Sequence, residues 1–340
     1  MLIYFDYLTC IILFIILIVF IYNFNIYMEA TVIITNYNQS FLLKYIINSL
    51  RKQETNYKFE IIVADDGSDI NNVNTNIELI SSINDLDIYY IFQQDKGFRA
   101  SQNRNNAIKC SRGDYIIMLD GDIVPNVDFI QKQLEVLIKE EKIITYTHRK
   151  YKFLDEIDLK ETQNGDLKNL YFQEIQLKNN MKEWQRIWGY NFAFKKNKDI
   201  YFDEHFIGWG LEDVELIYRM LKSGYKAKEL NNYDIFHIDN SSIGSCNPFK
   251  TNKPQDMLNF IKNAIYFCEK YNSPNDIVET FFTIPDLSDF IKKTNINKNN
   301  SSLKEGAQKI NKQSIKNLYK QKSLYERYIT NNKEEDYKNE

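Results

Sequence analysis

Apolar and polar positions alternate in blocks along the first half of the chain. Short apolar runs are typical of buried strands, and they alternate with longer stretches that suit helices. The runs predict strands over residues 31–35, 59–64, 88–92, 115–119 and 143–146, and helices over 41–52, 73–82, 100–110 and 127–139. Strands that alternate with helices predict an α/β fold with a mainly parallel central sheet and flanking helices.

The pattern weakens after residue 150. Residues 150–182 are charged and are interrupted by Asn-Gly-Asp at 164–166, which indicates irregular structure or a mobile insert. Further on, the pattern predicts short extended pieces over residues 189–194 and 199–202 and helices over 211–223 and 254–271. Because no repeat or Gly/Ser or Pro linker interrupts residues 29–272, we expect one domain there.

The two ends of the chain differ from this domain in composition. Residues 8–22 are uncharged and mostly apolar, and residues 2–26 reach the length of a spanning helix if Asp6 lies at the headgroups. Without a basic region or a small-residue cleavage site, residues 1–28 are predicted to be an N-terminal transmembrane anchor rather than a signal peptide. A buried or interfacial helix is the alternative. Residues 273–340 are predicted to be a helical or disordered tail.

Carboxylates follow two of the predicted strands. Asp65 and Asp66 follow one, and Asp120 and Asp122 follow another with a single glycine between them. Residues i and i+2 of an extended chain face the same way, so Asp120 and Asp122 can face one divalent cation. Such a cation can bind a diphosphate and stabilise its negative charge when it acts as a leaving group. Asp-Gly-Asp is also an ordinary turn, but ligands of open α/β sheets bind at this edge, which favours a site.

Three other segments carry candidate chemistry. Lys96 and Arg104 belong to a basic turn and helix start that can attract a nucleotide phosphate, or that can simply be a solvated helix face. Trp209 offers a sugar a flat face, and Asp213 can take a proton from a hydroxyl, although acids in a first helical turn also complement the helix dipole. His237 follows an apolar run, where it is either structural or a ligand that suits manganese better than calcium.

Together these segments resemble a family 2 glycosyltransferase of the GT-A fold, a single Rossmann-like domain. The C-terminal half is similar to bacterial chondroitin synthase modules and to animal galactosyltransferases. The matching segments follow the expected order, which is more specific than any single motif. They are residues 31–38, Asp65-Asp66-Gly67-Ser68, Lys96-Gly97-Phe98-Arg99, Arg104-Asn105, Asp120-Gly121-Asp122, residues 208–213 and His237.

The resemblance implies roles for individual residues. Those implied to contact the nucleotide or the sugar are Thr35 and Asn36 in the base pocket, Asp66 on the uracil ring with Asp65 as its support, Asp95, Lys96 and Arg104 beside the nucleotide, Asp120 at the ribose or metal, and Asn191 and Trp209 at a sugar. Asp122 and His237 would bind Mn²⁺ or Mg²⁺, and Asp213 would be the general base, assisted by Glu212.

The implied reaction is inverting transfer of a sugar from a UDP-sugar to a saccharide or glycolipid acceptor, in surface polysaccharide or glycoconjugate synthesis. Similarity to galactosyl-type enzymes favours galactose or N-acetylgalactosamine as the donor sugar. One catalytic domain predicts a single type of linkage, because alternating addition of two sugars needs two donor pockets.

Composition narrows the partners and the compartment. A formal net charge of −3 over 340 residues gives no basic field, which argues against nucleic acid as a partner. The four cysteines are widely spaced and form no CxxC pair, so a reducing compartment is the simpler interpretation. With UDP-sugars supplied in the cytosol, we expect a single-pass membrane protein whose catalytic domain lies at the cytoplasmic face; a lumenal placement is the alternative.

Three other functions are compatible with paired acids. A sugar-nucleotide nucleotidyltransferase would carry a Gly-rich basic loop after the first strand, where residues 36–40 instead are Asn-Tyr-Asn-Gln-Ser. A glycoside hydrolase would act without nucleotide or metal. A catalytically silent carbohydrate-binding protein would bind sugar without turnover.

Overall fold

A computed structural model describes residues 27–153, 173–174, 187, 191–230, 235–239 and 254–271. The strands are β1 (Ala30–Asn36), β2 (Phe59–Asp65), β3 (Asp87–Phe92), β4 (Tyr115–Asp120), β5 (Ile123–Pro125), β6 (Ile143–Tyr146), β7 (Arg149–Phe153), β8 (Gln173–Glu174), β9 (Asn191–Lys195), β10 (Lys226–Glu229) and β11 (Ile235–Asp239). The helices are α1 (Ser40–Arg51), α2 (Ile70–Ser81), α3 (Ala100–Cys110), α4 (Phe129–Leu137), α5 (Glu212–Lys222) and α6 (Pro254–Tyr271).

The larger sheet has the strand order β10-β6-β9-β4-β1-β2-β3, and only β9 runs antiparallel to its neighbours. Helices cover both of its faces, which is why β1 and β4 are apolar along almost their whole length. One buried cluster joins the sheet to α1 and α4, and the other joins it to α3, α5 and α6. The predicted α/β fold with a mainly parallel central sheet is therefore confirmed.

Most predicted elements agree with the structure to within three residues, but three expectations were wrong. Residues 199–202 form no strand. β7 begins one residue before the range interpreted as irregular and continues into it, and β8 lies within that range. β5 and β10 were not predicted, because β5 has three residues, one of them Pro125, and β10 reads Lys-Ala-Lys-Glu without a large apolar side chain.

A smaller sheet, with the order β5-β11-β7-β8, lies next to the carboxylates of the β4–β5 turn. β11 pairs antiparallel with β5, so that His237 is opposite Ile123. The backbone N–H of Ile238 donates to the carbonyl oxygen of Asp122 at 2.9 Å. This pairing brings His237 to the end of β4, although 115 residues separate it from Asp122.

The predicted anchor and tail lie almost wholly outside the described residues, since the description begins at residue 27 and ends at residue 271. Among the helices that the structure does describe, none combines the length and apolarity needed to cross a membrane. The division of the chain into residues 1–28, 29–272 and 273–340 stays a prediction.

Candidate active site

The parallel strands β1, β2 and β4 end at one edge of the sheet. Their register places Asn36 opposite Asp65 and Thr35 opposite Asp120. Polar side chains that follow three separate strands therefore meet at this edge, as the sequence predicts.

Asp65 organises the turn that follows β2. It is fully buried, and its Oδ1 accepts from the backbone N–H groups of Gly67 and Ser68 at 3.0 and 2.7 Å. Its Oδ2 accepts from Asn36 Nδ2 at 2.7 Å and from the Tyr90 hydroxyl at 2.6 Å. Burial and this bond to Asp65 raise the pKa of Tyr90. Asp65 thus acts as a structural support, and the buried Asn36 belongs to the same network.

Asp66 connects the end of β2 to the loop that precedes α3. Its Oδ2 accepts from the backbone N–H of Arg99 at 2.7 Å, and its Oδ1 accepts from Gln93 Nε2 at 2.5 Å. Burial raises the pKa of Asp66 despite these two donors. Asp95 and Lys96 are exposed on the same loop. Sequence reasoning missed Gln93, because a glutamine after an edge strand carries no local signal.

Arg104 lies in a buried cluster of charges. Its Nη2 donates to Asp120 Oδ1 at 3.0 Å and its Nη1 to Glu212 Oε1 at 2.8 Å. Asp120 Oδ1 also accepts from the Thr35 hydroxyl at 3.1 Å. Burial alone would lower the pKa of the guanidinium, but Asp120, Glu212 and Asp213 outweigh burial and raise it. The charge of Arg104 thus faces protein carboxylates, and its place beside a nucleotide stays a prediction.

Asp122 and His237 are in direct contact. The imidazole Nε2 lies 2.9 Å from Asp122 Oδ2, and the side chains are 12% and 28% exposed for His237 and Asp122 respectively. Gly121, between the two acids, lies against β1, since an added Cβ would be 2.4 Å from the carbonyl oxygen of Thr35. The turn that presents Asp122 therefore depends on the absence of a side chain at residue 121.

This pair fits two ligands of a small divalent cation. Donors bound at about 2.1 Å and at right angles lie about 3 Å apart, close to the observed separation. Mg²⁺-type sites commonly take only one or two carboxylates and complete their shell with substrate phosphates and water. In the described ranges no three His, Cys, Asp or Glu residues are grouped to hold a metal, and Asp120 Oδ1 accepts from Arg104 and Thr35. The place of Asp120 at the ribose or metal stays a prediction.

The turn before α5 is held from several directions. The backbone N–H of Gly208 donates to the carbonyl oxygen of Phe98 at 3.0 Å, and Asn263 Nδ2 donates to the carbonyl oxygen of Gly210 at 2.9 Å. Gly208 and Gly210 both have positive φ, at +81° and +97°. The partly buried Trp209 packs on Phe260 of α6, with ring centroids 5.6 Å apart.

Asp213 follows this turn in the first turn of α5. Its Oδ1 accepts from the backbone N–H of Val214 at 2.7 Å, and the residue is partly exposed. The helix N-terminus favours an ionised carboxylate there. Asp213 thus has the position and the exposure that a general base needs, next to Glu212 and its bond to Arg104.

Asn191 is hydrogen-bonded to the backbone of Thr147. It is fully buried at the start of β9, where its Oδ1 accepts from the backbone N–H of Thr147 at 3.0 Å and its Nδ2 donates to the carbonyl oxygen of Thr147 at 2.9 Å. Both amide groups are used in joining β9 to the chain after β6. Asn191 therefore has a structural role here, and its contact with a sugar stays a prediction.

Solved structures share this fold. The S. aureus TarS fragment 1–349, in complex with UDP-GlcNAc, matches with a TM-score of 0.57 and 14% identity over 89% of this chain and 92% of that one. GalNAc-T7 with UDP, GalNAc and Mn²⁺ matches with a TM-score of 0.54 and 15% identity over 79% and 55%. These similarities define the architecture as a GT-A-like α/β fold.

Sequence comparison identifies the family. Residues 31–202 match the family described as Glycosyl transferase family 2, and residues 174–241 match the family described as the N-terminal domain of galactosyltransferase. The chain belongs to the family 2 glycosyltransferases. The resemblance inferred from the motifs is confirmed.

The curated relatives are longer proteins. A hyaluronan synthase of Pasteurella multocida is 30% identical over 61% of this chain and 24% of its own length. A chondroitin synthase of Escherichia coli is 27% identical over 61% and 34%, and a validoxylamine A glucosyltransferase of Streptomyces hygroscopicus is 27% identical over 57% and 51%. The chain thus matches between a quarter and a half of each of these three relatives.

Proposed function

We propose that this protein transfers a sugar from a UDP-sugar to a hydroxyl group of a saccharide or glycolipid, with inversion at the anomeric carbon and with Mn²⁺ or Mg²⁺ bound. The observation that carries the proposal is the 2.9 Å contact between Asp122 and His237 at the sheet edge that also carries Asp66 and Asp120. One structural neighbour was solved with UDP, GalNAc and Mn²⁺ and another with UDP-GlcNAc, which supports this choice of donor and metal.

Each residue of the site would have a distinct role in the reaction. Asp66 and the loop around Arg99 would hold the uracil ring, and Trp209 would offer its exposed face to a sugar. Asp213 would take the proton of the acceptor hydroxyl as the oxygen attacks the anomeric carbon opposite the diphosphate. Asp122 and His237 would hold the cation, which, when bound, neutralises the charge of the leaving diphosphate.

The substitution Asp122→Asn tests this assignment. It keeps the shape of the side chain and removes the charge that the cation needs. We expect kcat to fall about 1,000-fold, because several kcal/mol of charge stabilisation are lost. The assay is release of uridine diphosphate by the purified protein, screened over UDP-sugars with Mn²⁺.

Asp114→Asn is the matched control, since Asp114 precedes the opposite end of the same strand, where it accepts from the Tyr27 hydroxyl at 2.8 Å. It should leave kcat unchanged. Turnover of the Asp122 variant at the parent rate, or parent activity that persists in a strong chelator, would contradict the metal-dependent mechanism.

The setting of the reaction is part of the proposal. Residues 1–28 would anchor the enzyme in a membrane by a single span, with the catalytic domain on the cytoplasmic side, where surface polysaccharide or glycoconjugate is assembled. The galactosyltransferase match over residues 174–241 supports a galactose or N-acetylgalactosamine donor. A fractionation with and without residues 1–28 tests the anchor, since the shortened protein should leave the membrane fraction.

A further inference from the structure

Arg104 connects two parts of the site that come from distant segments. On one side its guanidinium bonds Asp120, at the end of β4 and two residues before Asp122. On the other side it bonds Glu212, the first residue of α5 and the neighbour of Asp213. A guanidinium presents its donors in a rigid planar fork, so two bonds made at once fix the relative position of the two carboxylates.

The surroundings of Arg104 leave it little access to a ligand. Only 4% of the residue is exposed, and its guanidinium carbon lies 5.2 Å from the centre of the Phe202 ring. Glu212 is buried as well. The guanidinium therefore bonds two protein carboxylates and also lies close to the aromatic ring of Phe202.

We propose that Arg104 is a positioning residue, which sets the distance between the metal-binding end of β4 and the general base on α5. This inference rests on the proposed function, because the two groups that it positions are Asp122 and Asp213. A shift of the first turn of α5 would move Asp213 away from the hydroxyl that it deprotonates. Misplacement by about 1 Å can cost on the order of 100-fold in rate.

The two bonds from Arg104 to Asp120 and Glu212, here called the bridge, require a planar guanidinium and not only a positive charge. Because both carboxylates bond the same guanidinium, a side chain that carries the charge without the fork should not replace it. Lysine supplies a point charge on a flexible stem and does not reproduce two bonds in a fixed geometry. Arg104→Lys should therefore fold and still lose most of its activity.

The experiment compares Arg104→Lys and Arg104→Gln with Arg219→Gln. Arg219 is the matched control, because it bonds the buried Glu215 of the same helix at 3.0 Å through Nε and lies about two helical turns after Glu212, the residue that Arg104 contacts. For each folded variant we measure kcat, KM for donor and acceptor, and the Kd of uridine diphosphate with Mn²⁺. We expect both Arg104 variants to lose about 100-fold in kcat with Kd changed by less than about threefold, and the Arg219 variant to keep its kcat.

Two results would overturn the proposal. A rise in the Kd of uridine diphosphate of tenfold or more, with kcat at saturation unchanged, would make Arg104 a nucleotide ligand. If the folded Arg104→Lys protein kept the parent kcat, Arg104 would contribute to stability and not to the positioning of the site.

A second measurement needs no activity and so separates this inference from the proposed function. Asp120→Asn and Glu212→Gln are combined in a double-mutant cycle on unfolding, first with Arg104 present and then in the Arg104→Gln background. Coupling that disappears without Arg104 supports the bridge even if no sugar nucleotide is turned over, whereas additive effects in both backgrounds reject it.

Discussion

The site consists of two parts that are held in different ways. The strand-end part comprises the residues that end or directly follow β1, β2 and β4, and the turn part comprises residues 208–213. In the strand-end part, the supports come from the sheet and its turns: Asp65 bonds the turn that follows it and also Asn36 and Tyr90 on the neighbouring strands β1 and β3. In the turn part, Gly210 is held by Asn263, which is 53 residues away. The first part is therefore fixed by the sheet, and the second by the docking of α6.

The surroundings of one glycine in each part show how easily that part can adjust to an added side chain. A Cβ at Gly67 would lie 2.4 Å from the backbone Cα of Asp95, whereas a Cβ at Gly210 would meet ring atoms of Phe260 at 2.8 and 2.9 Å. A ring can rotate or shift, but a backbone segment held between a strand and a helix moves only with its neighbours. We expect the strand-end part to be rigid and the turn part to adapt.

The largest expected effect is that of Gly67→Ala. Its φ of +91° already costs an alanine about 1–2 kcal/mol, and displacing the loop at Asp95 adds a clash with backbone. We expect a loss of about 3–5 kcal/mol in the free energy of unfolding and loss of nucleotide binding, measured by urea unfolding and calorimetry.

Gly97→Ala is the control for this prediction. Gly97 lies on the loop that carries Asp95 and has a φ of +81°, but an added Cβ would meet nothing within 4 Å. It should cost only about 1–2 kcal/mol. Equal losses in the two variants would show that the close approach of Gly67 to Asp95 contributes nothing.

The next effect concerns the docking of α6 at acid pH. Glu215 of α5 is fully buried and accepts from Lys270 at 2.8 Å and from the Tyr271 hydroxyl, both on α6, and Asp203 accepts from Lys270 and Tyr266 at 2.7 Å each. Burial opposes ionisation of both acids. Bonds from Arg219, Lys270 and Tyr271 outweigh it and lower the pKa of Glu215, and bonds from Lys270, His205 and Tyr266 do the same for the pKa of Asp203.

The sign of the pH dependence follows from these lowered values. An acid with a lower pKa when folded stabilises the protein fully above its unfolded pKa, about 4.3 for glutamate and 3.9 for aspartate, and loses this contribution as the pH falls through the folded pKa. Stability should be level above pH about 5 and should fall below it by up to about 1.4 kcal/mol per pH unit for each extra proton.

Glu215→Gln tests this source of acid sensitivity by urea unfolding between pH 7 and pH 3. The variant should be less stable at pH 7 and should lose less stability on acidification than the parent. Glu141→Gln is the control, because Glu141 pairs with Lys195 on the exposed surface, at 2.8 Å. It should change the acid slope much less than Glu215→Gln does, because an exposed pair is screened by water. If Glu215→Gln kept the parent slope, Glu215 would not be the source of the acid sensitivity.

The strand-end part was predictable because its information is local. Each apolar run ends in its acids, and parallel strands bring those ends to one edge, so Asp65, Asp66 and Asp120 were placed there correctly by the pattern. Asn191 was assigned from the resemblance alone, and the pattern did not show that β9 runs antiparallel, with its buried first residue at this edge. A period of two does not reveal strand direction.

The contacts of the turn part and of the bridge depend on tertiary packing, which a local sequence pattern does not predict. The helix α6 was predicted with its correct bounds, but nothing in its sequence shows that Phe260 packs on Trp209 or that Asn263 bonds Gly210. Likewise the basic character of Arg104 predicts an anion, and only the fold shows that the anions are carboxylates of the protein.

The smallest of these effects, and the one that tests adaptability directly, is that of Gly210→Ala. The positive φ costs about 1–2 kcal/mol, and rotation of the Phe260 ring should relieve part of the contact. We therefore expect a loss in unfolding free energy of about 2 kcal/mol, smaller than for Gly67→Ala, with a few-fold rise in acceptor KM and unchanged nucleotide binding. Gly224→Ala, at φ of +88° with nothing within 4 Å, should lose similar backbone energy and keep the parent KM. If Gly210→Ala instead weakened nucleotide binding as strongly as Gly67→Ala, the two parts of the site would be one rigid unit, joined through the bond from Gly208 to Phe98.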